Sequence, residues 1–476
     1  MSSLLGVFWL LTCALIASCS VTNELTTVEM PVSSGNTDIT RLWGAYSPFF
    51  EAGTYEAPPA GCTINQVHLL QRHGARYPTS GASTSIISGI NKLQSVQHYT
   101  DPRLDFLKTF TYSLGVADLI SFGAHQSAQT GALSFTRYSH LINATNLPFV
   151  RASSSTRVVD SATNWTTGFS AANHHLFNPS LSVILSENGN DTLDDNMCPN
   201  AGTSDAETNT WLAVFAPPIT ARLNRWAPTA NLTDAETFSL LSMCPFHTLA
   251  SASTAFVSGT PPQLQLSPFC ALFSVEEFAA FEYSMDLDKF YGTGYGAPLG
   301  PVQGVGYINE LLARLTNAPV NDSTQTNSTL TGDPKTFPLD RTMYADFSHD
   351  NEMIAIYAAM GLFPQRVPLD PRGPAATAPG REREGKWVAS RLVPFSARMV
   401  VERMECGEWN TRDEGKRKRR ENYVRVLVND ALQPLEFCGA PQGGGMKGIC
   451  TLEKFVESQG YARGGGGGDW EKCFSA

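Results

Sequence analysis

The sequence predicts an α/β fold: a large domain with a central mixed sheet flanked by helices, plus a smaller, mainly helical inserted domain. Three observations predict it. Two strand-like runs, about 270 residues apart, each end in a polar turn; a Ser/Thr/Asn/Pro-rich stretch with amphipathic segments separates them; and two β-branched runs follow toward the C-terminus.

The first run, TINQVHLLQ from Thr63 to Gln71, draws its apolar content from Ile64, Val67, Leu69 and Leu70 and stops abruptly at RHGARYP. The second, TMYADF from Thr342 to Phe347, leads into SHDN, after which EMIAIYAAMG has helical periodicity up to a glycine stop. Ligands of open α/β sheets gather beyond the carboxyl ends of strands, where strand order switches, so the two polar turns are expected to meet there. Between them, from Pro148 to Gly300, segments such as TDAETFSLLSM and SVEEFAAFEYSM predict the inserted helical lobe. SARMVVERMEC and YVRVLVND are expected to pair as neighbouring strands of the first sheet. The expected division is a signal peptide over 1–20, the large domain over 21–147 and 301–476, and the smaller domain over 148–300.

Of 476 residues, 42% are hydrophobic and 16% charged, so the chain can bury a large core and is not a disordered polymer. The net charge of −10 argues against a nucleic-acid backbone as partner, and any bound anion must be attracted by a local pocket. The apolar stretch Leu4 to Ala17, followed by small residues, fits a secretory signal and is shorter than the roughly 20 residues of a membrane span. Export would leave eight cysteines, Cys62, Cys198, Cys244, Cys270, Cys406, Cys438, Cys450 and Cys473, an even set that favours disulfides in an oxidising compartment. No mature pair has the Cys-x-x-Cys spacing of a zinc site, so no metal is expected. Six sequons, at Asn143, Asn164, Asn190, Asn231, Asn321 and Asn327, would be open to glycan transfer in an exported chain. The basic run KRKRR reads as a solvated hairpin loop, since export and nuclear import conflict, and the tracts Gly443–Gly445 and Gly464–Gly468 read as flexible loops.

RHGARYP places an imidazole, His73, between two guanidinium groups, Arg72 and Arg76, in a turn tightened by Gly74 and closed by Pro78. Two arginines beside a histidine make a poor core choice and a good dianion cradle, because each guanidinium offers planar, permanently charged donors to phosphate oxygens. An RHGxRxP match in a chain of this length arises by chance on the order of 10⁻⁴ times.

On these residues, on His349 and Asp350 in SHDN, and on LWGAYSPFF, FVRASSSTRV, GPVQGVGYINELLARL, YADFSHDN and VRVLVND, the chain resembles the histidine acid phosphatase family and, within it, the fungal-type phytases. The likeness runs from about Leu42 onward; the charged stretches 379–386 and 409–421 and the glycine-rich tail depart from it as insertions. The resemblance implies a phosphoglycerate-mutase-like fold and hydrolysis of phosphate monoesters, phytate foremost, with no cofactor. It implies His73 as a nucleophile that becomes phosphorylated, Asp350 as proton donor, and Arg72, Arg76, Arg151 and His349 as phosphate ligands. Tyr46, Lys108, Lys289 and Asn351 are candidate substrate contacts by position, Asn351 equally a helix cap. The implied disulfides are Cys62 with Cys406, Cys198 with Cys473, Cys244 with Cys270 and Cys438 with Cys450. A free Asp titrates near 3.9, so an acid optimum of about pH 4 to 6 is expected. The expected protein is a secreted, glycosylated monomer with no membrane or nucleic-acid partner. A broad acid phosphatase with the same machinery, or a non-catalytic binder of phosphorylated ligands, are the competing functions.

Overall fold

The structure is a computed structural model that describes residues 38–252, 264–365, 367–374, 387–407 and 420–475. The expected signal peptide, the stretch 379–386 and the basic residues 409–419 lie outside these. Eight strands form one sheet: β1 (Cys62–Arg72), β2 (Phe149–Ser153), β3 (Leu181–Leu185), β4 (Met343–Ser348), β5 (Arg398–Cys406), β6 (Glu421–Val428), β7 (Ala431–Leu432) and β8 (Ile449–Thr451). The order is β3-β2-β4-β1-β5-β6-β7, with β8 also on β6. Contacts among β1 to β4 are parallel and those from β5 onward antiparallel, so the sheet is mixed, as expected. The two β-branched C-terminal runs pair with each other as β5 and β6, and β5 joins them to β1.

The principal helices are α1 (Ser80–Gln94), α2 (Ser121–Tyr138), α3 (Thr156–Ala172), α4 (Asp205–Trp226), α5 (Asp234–Ala250), α6 (Val275–Gly292), α7 (Val305–Thr316) and α8 (Asp350–Met360). Alternation along β1 sends Leu70 into a core shared with Ile308 and Leu311 of α7 and Met353 of α8. Val67 and Leu69 face the opposite core, with Trp165 and Phe169 of α3. A third core is helical: Ile86 of α1, Phe215 of α4, Leu240 of α5 and Phe281 of α6 pack together. The stretch 148–300 is thus not uniformly helical, because β2 and β3 within it are strands of the sheet. Five-residue strands set in Ser- and Asn-rich loops carry too little periodicity to be told from loop.

The four disulfides of the described residues pair as the resemblance implied, and Cys62 and Cys406 face each other in the β1–β5 register. The glycine tail differs from the flexible loop expected. Gly465 to Gly468 form a tight turn with four successive positive φ angles, and a Cβ on Gly466 would lie 2.4 Å from Val302 Cγ2. Among the described residues no helix is long and apolar enough to cross a membrane.

Candidate active site

β1 and β4 are parallel neighbours, so the two polar turns that follow them leave the sheet side by side, joined by a hydrogen bond from His73 N to Ser348 O at 3.0 Å. The first turn is held from several sides. Gly74 N donates to Ser161 Oγ at 3.0 Å, Ala75 N to Gln126 Oε1 at 3.1 Å, and Ser396 N to His73 O at 3.0 Å. Gly74 is required sterically, since a Cβ there would fall 2.3 Å from the Gly123 carbonyl oxygen at the start of α2. The second turn ends in α8, whose N-terminal residue is Asp350 and whose cap residue is His349. The N-termini of α3 and α8 both open on this corner and favour an anion there.

His73 is 1% exposed. Its Nδ1 lies 2.8 Å from the Gly74 carbonyl oxygen; a carbonyl only accepts, so Nδ1 carries the hydrogen and Nε2 keeps a lone pair. Burial, then the charges of Arg72 and Arg76, hold the ring well below its ordinary pKa, so it is neutral in mild acid. Arg72 is pinned by Nη1, which donates to the Ala45 and Val393 carbonyls, and its guanidinium lies over the Phe395 ring at 4.6 Å. Burial brings its pKa down to about 10, still far above any working pH.

Around His73, four buried guanidinium nitrogens have no hydrogen-bond partner among the described residues: Arg72 Nε and Nη2, Arg76 Nε and Arg157 Nε. Arg72 Nη2 stands 3.2 Å from Asp350 Oδ2, an ion-pair distance without the alignment of a hydrogen bond. Buried donors left open by the protein are costly unless a ligand takes them, and an oxyanion is the ligand their charge selects. Asp350 is also paired with Lys289 Nζ at 2.9 Å. Burial pulls the Asp350 carboxyl upward, but Arg72 and Lys289 outweigh it and hold the group well below the usual carboxylate range. Lys289 is raised in turn by Asp350 and Asp288 against the effect of burial.

Glu187, Asp194 and His349 are the group of the described residues whose ligating atoms lie within 4.8 Å of one another. Arg157 Nη2 sits 3.3 Å from His349 Nδ1, so a cation there would meet a guanidinium, and Glu187 is already filled by Ser153, Ser155 and His349 Nε2 at 3.1 Å. The group fits a hydrogen-bonded support for His349 better than a metal site.

The chain matches the family described as histidine phosphatase superfamily (branch 2) over residues 63–429. The chain belongs to that family. Among curated proteins, this histidine phosphatase is 40% identical to Phytase A of Neurospora crassa, over 92% of this chain and 93% of that one. It is likewise 40% identical to Phytase A of Aspergillus fumigatus, over 91% and 90%. In fold it is similar to the crystal structure of the phytase from D. castellii, with TM-score 0.70, 22% identity and coverage of 89% and 85%. It is also similar to the Bifidobacterium longum multiple inositol polyphosphate phosphatase solved with inositol hexasulfate, with TM-score 0.61, 13% identity and coverage of 89% and 98%.

Of the residues expected in the site of this histidine phosphatase, Arg72, His73, Arg76, His349, Asp350, Lys289 and Asn351 come together. Arg151 does not, and the expectation for it is corrected. It sits mid-strand in β2, 2% exposed, with Nε on Asp346 Oδ1 at 2.8 Å and Nη2 on Glu310 Oε2 at 2.7 Å, so its charge is spent inside the sheet. The arginine that reaches the cluster is Arg157, six residues on, in the first turn of α3. Only residues past a strand's C-terminal end face the ligand side, and Arg157, unlike Arg151, lies there; the sequence gives no sign of this, because β2 is distinguished from loop only by its place in the sheet. His349 is not a free phosphate donor either, since Nδ1 accepts from Arg157 and Nε2 faces Glu187. Asn351 neither caps α8 nor stands open; its Oδ1 accepts from Lys289 Nζ at 2.6 Å. Lys108 is exposed, pairs with Asp105, and has no hydrogen bond or ion pair to the cluster among the described residues. Tyr46 lies at the cluster's edge, its ring 4.5 Å from Phe246 and 6.3 Å from Phe395, within electrostatic reach of Arg76, Lys289 and Asp350.

Proposed function

We propose that this protein is a secreted acid phosphatase that releases orthophosphate from phytate through a phosphohistidine at His73. The observation that carries the reading is the set of unpartnered, buried guanidinium donors of Arg72, Arg76 and Arg157 around a neutral imidazole with a free lone pair. In this reading the guanidinium groups bind the equatorial phosphate oxygens, where charge must be held through an in-line transfer. His73 Nε2 forms a bond to phosphorus as the ester oxygen departs, Asp350 gives that oxygen a proton, and water then releases the phosphate. The chemistry proposed uses no metal, so activity should persist in excess chelator. Names carried by relatives support phytate as substrate.

One observation favours the broader phosphatase as a second reading. The cavity beside Tyr46, of about 320 Å³, is lined by neutral groups that include Gly81, Ser85, Thr208, Ser239 and Ser284. Comparing kcat/KM for phytate and p-nitrophenyl phosphate separates the two. Export is supported by the four disulfides, and glycosylation by the exposure of Asn143, Asn190, Asn231 and Asn321. His73→Ala tests the enzyme reading directly: turnover must collapse while the circular dichroism spectrum and melting temperature persist.

A further inference from the structure

The four parallel strands end side by side in the order β3, β2, β4, β1, and the segments that leave the first three make one chain of contacts that stops at the anion cluster. Glu187 lies two residues beyond β3. Ser153 is the last residue of β2, Ser155 and Arg157 open α3 just after it, and His349 follows β4 directly. Glu187 Oε1 accepts from Ser153 Oγ at 2.9 Å, Ser155 N at 2.8 Å and His349 Nε2 at 3.1 Å, while Oε2 accepts from Ser155 Oγ at 2.8 Å. Held by four donors, this carboxylate is the fixed point of the group, yet the phosphoryl-transfer steps do not use it.

The direction of these bonds decides the state of the His349 ring. A carboxylate only accepts, so Nε2 carries the hydrogen; a guanidinium only donates, so Nδ1, 3.3 Å from Arg157 Nη2, keeps the lone pair. The opposite tautomer would turn an N–H toward Arg157 and leave two donors facing each other. Asp194 Oδ1 stands 3.6 Å from the same Nε2, beyond hydrogen-bond distance, so Glu187 sets the tautomer. The imidazole also stands between two opposite charges, Arg157 and Glu187, that line one cavity of about 310 Å³. Joined directly, they would form an ion pair and turn the guanidinium away from the phosphate. Bridged by the ring, Arg157 leaves its Nε open.

Resting on the phosphatase reading, we propose that Glu187 is a positioning residue that, through the Nε2–H tautomer of His349, aims Arg157 at the scissile phosphate. The role requires an acceptor oxygen in place of Oε1 and not the charge. Glutamine can supply it, because Ser155 N and Ser153 Oγ select the amide oxygen for that position and the Ser155 hydroxyl can turn to accept from the amide nitrogen.

The test measures kcat/KM for p-nitrophenyl phosphate in Glu187→Ala, Glu187→Gln, Arg157→Ala and the double variant Glu187→Ala/Arg157→Ala. The His349 ring nitrogens are followed at neutral pH by long-range proton–nitrogen NMR and assigned by their loss in His349→Asn. Glu187→Ala should lose about 10- to 100-fold, the scale on which groups that orient a histidine act, and Glu187→Gln should stay within about threefold of wild type. On top of Arg157→Ala, the loss of Glu187 should add little, since the guanidinium it aims is already gone. In the wild type the His349 ring should carry its hydrogen on Nε2, a result that stands whether or not Glu187→Ala folds. A hydrogen on Nδ1, a Glu187→Gln as slow as Glu187→Ala, or full additivity in the double variant overturns the proposal. If His73→Ala is inert while Glu187→Ala matches wild type, the positioning role alone fails; if His73→Ala still turns over, the phosphatase reading fails with it.

Discussion

Arg72 and Asp350 face each other at 3.2 Å across the ends of two adjacent parallel strands, so the two motifs most distant in sequence form one ion pair in the site. That pair and Lys289 hold Asp350 below its unfolded value of 3.8. A depressed carboxyl stabilises the folded chain above the unfolded pKa, and the contribution is lost as pH falls through the folded one. Asp350→Asn, which keeps the shape and removes the charge, should therefore lower the melting temperature at pH 6, by a margin that shrinks as pH falls from 3.8 toward 2. A melting difference that is flat across this range would contradict the assignment.

Lys289 pushes on the same carboxyl from the other side, at 2.9 Å. Its removal in Lys289→Ala takes away a charge that keeps Asp350 ionised, so the acid stays protonated to higher pH. The alkaline limb of the pH–rate profile should move upward, and KM for phytate should increase. A limb that moves downward would mean that Lys289 does not govern the acid.

The two arginines of FVRASSSTR should separate cleanly. Arg157→Ala removes an open donor from the anion cluster and is expected to cost about 10²- to 10³-fold in kcat/KM with the fold intact, as for loss of a group that meets developing charge. Arg151→Ala leaves Asp346 buried against Arg314 alone and Glu310 with no cation, only the Thr192 hydroxyl, and should destabilise by about 3–5 kcal/mol in urea titration. Equal effects on activity and equal effects on stability would merge the roles that their surroundings keep apart.

His73 is buried as a neutral ring, and its pKa is lowered below 6.5. The unfolded chain binds the extra proton, so this group opposes folding increasingly as pH falls below 6.5 toward the folded value. Relative to wild type, His73→Gln should gain stability at pH 4 over pH 8. Ring nitrogen shifts in an NMR titration should show the imidazole neutral at pH 5; an imidazolium there would remove the nucleophile from its proposed working range.

Much of this site was legible because its chemistry is local in sequence. RHGARYP and SHDN each follow an apolar strand, and the rule that ligands collect at strand ends brings them together without coordinates. Arg151 was misplaced because a resemblance marks a block and not the residue within it; the backbone period that buries Arg151 in β2 is visible only once β2 is known to be a central strand between β3 and β4. Lys108 and Lys289 look alike as lone lysines, and what separates them is the packing of α6 against the site, a contact between segments far apart in the chain.

The central claim is that phosphate passes through the His73 ring. Mixing the protein with ³²P-labelled substrate, quenching in alkali within the first turnover and sequencing the labelled peptide tests it most directly. The account predicts an acid-labile, alkali-stable label on the peptide containing His73, absent from His73→Ala. Label on a serine or threonine, or full turnover with no labelled protein at any quench time, would contradict it.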